Sequence, residues 1–109
     1  MSQAQNLFSA QSKTILVAAT TTASTSVAMP AAGNTVRLVN EGPNNVYVAI
    51  GATAQTATLP AAGAGTATCT PVLVGGDITL SIAADSAQQI SAITRTGTAS
   101  LNIQVGEGS

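Results

Sequence analysis

Chemistry in this chain would have to come from very few side chains. Seven are formally charged, namely Lys13, Arg37, Arg95, Glu41, Asp77, Asp85 and Glu107, and there is one cysteine, Cys69, and no histidine. Without histidine there is no imidazole base and no Ser–His–Asp set. Cys69 has no His to activate it and no second Cys, so a Cys–His nucleophile, a Cys/His zinc site and an intrachain disulfide are all ruled out. It reads as a small buried hydrophobe. Asp77 and Asp85 bracket an extended segment and would stand about 20 Å apart. The paired carboxylates of a glycosidase stand roughly 5–9.5 Å apart. Only a pair that folding brings together, such as Glu41 with Asp77, stays open. The glycine-rich spots at 63–65 and 75–76 are not followed by Lys-Ser or Lys-Thr and open no helix, so they read as turns. Three cations cannot neutralise a row of phosphates, which argues against nucleic acid as a partner. One Tyr and one Phe make a poor set of stacking platforms for a broad glycan site. The expectation is a protein that is not an enzyme and uses no cofactor or metal.

What remains is binding. Arg37 and Arg95 each lie in or beside an extended segment. They read as solvated cations on a strand face, or as partners in a salt bridge between subunits. Tyr47 faces away from the inward residues of its own segment. It is either covered by a second sheet or an exposed anchor for a partner. Leu7 and Phe8 are the one apolar pair in a Gln- and Ser-rich opening of 13 residues. That opening reads as a frayed terminus, or as an arm that lays Leu7 and Phe8 on a neighbouring subunit. Leu7, Phe8, Arg37, Tyr47 and Arg95 are therefore the candidate interface residues.

The elements that must position them are strands. Alanine, threonine and serine supply 47 of the 109 residues, and charged residues are only 6%, against about 25% in a typical domain. With 45% apolar residues the chain is not disordered in the usual sense, and its length suits one domain over 14–109. TILVAA (14–19) is apolar and rich in β-branched residues. TVRLVN (35–40) and NVYVAI (45–50) alternate around the turn EGPN, and read as a hairpin. DITLSI (77–82) places Ile78, Leu80 and Ile82 on one face. QISAIT (89–94) and TASLNIQV (98–105) flank Arg95-Thr96-Gly97, a second hairpin signal. QTATLP (55–60) and GTATCTP (65–71) echo each other weakly, with prolines marking strand ends or edges. No segment keeps a helical period. The fold class expected is all-β, a small β-sandwich of about eight to ten short antiparallel strands, with the jelly roll among its forms. There is no basic, apolar leader at the start and no run of about 18 apolar residues, so neither export nor a membrane helix is expected.

Two stretches carry a resemblance. VRLVNEGPNNVYVAIG (36–51) and AITRTGTASLNIQVGEG (92–108) resemble small tailed-bacteriophage proteins encoded near head and head–tail genes. In those, a strand ending in Val-Asn, a Gly-containing turn and a Val-rich strand precede a Gly-Thr-Ala strand and a closing Gly-Glu-Gly. This chain departs from them at QQISAIT (88–94), where a His and more aromatics are usual. The resemblance implies a virion structural protein, a head decoration or cement protein. It would be made in the host cytoplasm and bind the major capsid protein as a dimer or trimer. The alternatives are another virion part (a head-fibre base, a tail-associated or adhesion module) and a glycan-binding β-sandwich. Unguarded edges agree in kind. Exposed strand edges are normally protected by charge, especially Lys, and the one lysine here lies in the opening segment.

Overall fold

The alternation of Val, Ile and Leu with Thr and Ser yields strands throughout, because β-branched side chains pack well on a pleated, half-buried surface. The computed structural model describes residues 9–10, 14–29, 33–60, 63, 69–82 and 88–107. Nine strands run in the order β1 (Ser9–Ala10), β2 (Ile15–Ala19), β3 (Val27–Ala28), β4 (Thr35–Pro43), β5 (Val46–Gly51), β6 (Thr70–Val72), β7 (Asp77–Ser81), β8 (Gln89–Thr94) and β9 (Ala99–Glu107). All pairings are antiparallel.

The strands form two sheets. The first has the order β2-β9-β4-β7, with β1 continuing along the same side of β9 as β2. The second has the order β3-β8-β5-β6. If β2 to β9 are counted as strands one to eight, the sheets read 1-8-3-6 and 2-7-4-5. That is the jelly roll, two interlocked Greek keys. Of the opening 13 residues, Ser9 and Ala10 form β1 and pair with Gly106 and Glu107. Leu7 and Phe8 lie outside the described residues.

The core fills the space between the sheets. Val36, Leu38, Leu101, Ile103 and Val105 project inward from the first sheet, and Val46, Val48, Val72 and Ile90 from the second. Ile78, Leu80 and Ile82 pack against them from β7 and just beyond it. Each such side chain contributes about 1.5–3 kcal/mol before entropy is counted. Ile78, Leu80 and Ile82, the inward set expected of 77–82, are the ones that face the core, and β4 and β5 alternate as expected.

Neither expected hairpin exists. β4 belongs to the first sheet and β5 to the second, so 44–45 is an arch that carries the chain across the sandwich. The 95–98 connection likewise passes from β8 in the second sheet to β9 in the first. An arch and a hairpin both leave each strand with one inward face, so the alternation is the same for both. The register of β4 on β9 shifts between Asn40 and Gly42, a bulge that leaves Glu41 as the extra residue and turns it outward. QTATLP (55–60) forms no strand, and Pro71 sits within β6, at the edge of the second sheet.

Candidate functional site

Two regions of the surface take up Arg37, Tyr47 and Arg95, and a third is built on a residue not singled out above. The first is the outer face of the first sheet. Leu16 of β2, Asn102 of β9, Val39 of β4 and Asp77 of β7 are successive register partners in one row across the sheet. Beside that row, Thr14, Arg37, Val39, Glu41, Asn102 and Gln104 line a shallow groove of about 290 Å³. Arg37 lies directly opposite Thr79, which makes Asp77 its diagonal neighbour on the same face. Arg37 Nε donates to Asp77 Oδ1 at 2.9 Å and Nη2 to Oδ2 at 2.6 Å, a bidentate pair. The guanidinium hydrogen-bonds the carboxylate and holds it below its ordinary range, and the carboxylate in turn raises the arginine. The partner of Arg37 is therefore within its own chain. Glu41 shares this face, while Asp85 lies outside the described residues.

The second region is the outer face of the second sheet, and the chain covers it with its own loops. Segment 20–26 runs beside β8. Ser24 N donates to Ala92 O, Ala92 N to Ser24 Oγ, and Thr94 N to Thr20 O. Segment 52–60 lies over the face itself. Ala57 N donates to Ser91 Oγ, and Gln55 N to Ser26 Oγ. Ala57 of this strap is buried with Ala49 and Ile93 of the sheet, and Ala23, Tyr47 and Leu59 pack against them. Tyr47 is thus half covered, by the chain's own 52–60 strap and not by the opposite sheet, and half exposed. Arg95 fastens the end of the strap. Its guanidinium carbon lies 5.6 Å from the Tyr47 ring centroid, and Nη2 donates to Pro60 O at 2.9 Å. Tyr47 and Arg95 come together, and Arg37 stands on the opposite face of the sandwich.

The third region is the end of the sandwich where three connections meet, and its key residue was not among the candidates. Asn40 is fully buried. Its Nδ2 donates to Asn44 O and Val72 O, each at 2.9 Å, and its Oδ1 accepts from Gly42 N at 2.8 Å. Its backbone joins the 73–76 turn through Asn40 N to Gly76 O and Gly75 N to Asn40 O. Asn44 Nδ2 donates to Thr98 O, and Asn45 Oδ1 accepts from Val74 N. Three asparagines in six residues around a Gly-Pro turn are the signal that could have revealed this junction. It holds out Leu73 and Val74, which are 61% and 48% exposed.

At the opposite end a cavity of about 450 Å³ opens between the sheets, lined by Val48, Ile50, Leu80, Ile82, Thr70, Ser81, Gln88 and Cys69. Cys69 is only half-buried there, so it is not the enclosed core residue expected, because β6 begins at the margin of the sheet. No family model matches the chain, and no curated protein or solved structure shows significant similarity to it. Fold and surfaces together describe a jelly-roll β-sandwich in which, among the described residues, one face is covered by the chain itself and the other is open.

Proposed function

We propose that this chain is a decoration protein of a tailed-bacteriophage head, bound to the outside of the capsid lattice and stabilising it by protein–protein contact. The observation that carries the reading is the contrast between the two outer faces. Described segments of the chain cover the second sheet, whereas none crosses the outer face of the first. On that open face the ion pair Arg37–Asp77 is already satisfied within the chain. Burying an ion pair that is already satisfied within the chain leaves neither of its two charges uncompensated. The strips of Asn102, Gln104, Thr79 and Val39 offer hydrogen bonds and modest apolar area, as the rim of a non-obligate interface does. The resemblance of 36–51 and 92–108 to phage head-region proteins supports the major capsid protein as the partner.

Quantitative mass spectrometry of purified particles tests the reading. Hundreds of copies per particle are expected, and none, or only a few to tens, would overturn it in favour of a non-virion or tail-associated role. A variant carrying Val39→Arg and Asn102→Arg should keep its circular dichroism spectrum and lose binding to undecorated heads.

A further inference from the structure

The sandwich has four sheet margins, and three of them are blunted. At the β3 margin the strand is two residues long, and segment 20–26 takes up backbone groups of β8 beyond it. β6 is three residues long with Pro71, which lacks an N–H, at its centre. β7 begins with Asp77, held by Arg37. The fourth margin is β2. Its five residues, Ile-Leu-Val-Ala-Ala, contain no charge, proline or glycine. They pair with β9 without a register break from Ile15↔Ile103 to Ala19↔Ala99. On the side away from β9, no described residue hydrogen-bonds to the strand. Leu16 is 58% exposed, and its neighbours Thr14, Ala18 and Thr20 are exposed too.

An unpaired, uncharged strand edge is a template for another strand. The order of side-chain sizes in β2 indicates which strand. Residues 15 to 17 are large or medium and residues 18 and 19 are small. If the sequence is turned end for end about Val17, Ile15 meets Ala19, Leu16 meets Ala18, and Val17 meets itself. Every pair then sets a large side chain against a small one or two of medium size. Directly opposed residues across an antiparallel pair lie in contact, so this complementarity is sterically useful. No like charges meet between Thr14 and Thr20 in this arrangement. From these features we infer that β2 is a dimerisation edge, and that its occupant is β2 of a second copy of this chain, paired antiparallel across a two-fold axis at Val17. The contact is isologous. It joins two first sheets into one continuous sheet eight strands wide, in which each exposed Leu16 covers the partner's Ala18. This inference does not depend on the phage reading.

Light scattering after size exclusion, on the full chain loaded from about 1 to 100 µM, tests it. A dimer is expected, dissociating on dilution. Leu16→Lys should weaken it by about tenfold or more. Ala18→Leu should also weaken it, by setting Leu against Leu. The exchange variant Leu16→Ala with Ala18→Leu should restore it, which a merely structural role for these residues would not produce. All three changes lie on the exposed face, and an unchanged circular dichroism spectrum checks that the fold is intact. A wild-type monomer at the highest concentration would overturn the inference. So would a dimer that ignores Leu16→Lys but dissociates on Thr79→Lys in β7, or an exchange variant no tighter than Ala18→Leu alone.

Discussion

Asn40 shows how one polar side chain can hold several connections. Its two donated bonds and one accepted bond are made in a site closed to water. Replacement by Ala leaves two carbonyls and an amide unpaired in that site. Each such group costs about 1–3 kcal/mol, and they do not add fully, so Asn40→Ala should destabilise the fold by about 2–4 kcal/mol in urea unfolding. Asn45→Ala exposes Val74 N to water instead, and its cost should stay below about 1 kcal/mol. Asp77 makes a prediction in pH. The hydrogen bond from Arg37 depresses its folded-state pKa below that of the unfolded chain. The stability it contributes is therefore complete above the ordinary carboxylate range of about 3.9 and is lost as pH falls through the lower, folded value. Both partners are solvent-exposed, so the contribution is small and weakened by salt. In an NMR titration the Asp77 carboxyl should titrate below the ordinary range, and Arg37→Ala should move it up.

Between elements, the turns decide which strand lies beside which. Gly97 has φ +64°, and a Cβ placed there would overlap Asn44 Nδ2, which donates to Thr98 O. Gly75 has φ +77° and open space around it. Alanine at Gly75 should therefore cost only the left-handed backbone penalty, about 1–2 kcal/mol. At Gly97 it should cost about 1 kcal/mol more, through the lost arch-to-arch hydrogen bond. Thermal unfolding of the two variants side by side checks the difference. The same turns explain what could be inferred before the structure. Inward faces were legible because period-two alternation reports burial directly. Val36, Leu38, Leu101 and Ile103 are enclosed as that pattern requires. Sheet membership was not legible, because alternation says nothing about lateral neighbours, and both arches passed for hairpins. Arg37 was recognised as a surface cation, but its diagonal partner Asp77 is forty residues away and depends on β4 lying beside β7. Asn40 was missed because polar residues before a turn read as solvated. The strap over Tyr47 was missed because QTATLP alternates like a strand and yet pairs with none.

At the scale of the whole molecule, the two sheets differ in how the chain treats them. One is strapped by the segments that precede and follow its own strands, and the other, among the described residues, offers an open outer face and an unpaired margin. The order of β9 within the first sheet adds a consequence for synthesis. This strand lies between β2 and β4 and also holds β1, so it bonds to every other strand of its sheet except β7. It is also the last strand of the nine to be made. While residues 99–107 remain inside the ribosome, β1, β2 and β4 have lost the neighbour that joins them, and Leu101, Ile103 and Val105 are missing from the core. Nascent chains stalled before β9 emerges should be digested by protease, while chains in which β9 has emerged should resist it. The first sheet closes only once β9 has joined β2 to β4, a pairing of distant segments of the kind that forms in the millisecond-to-second range.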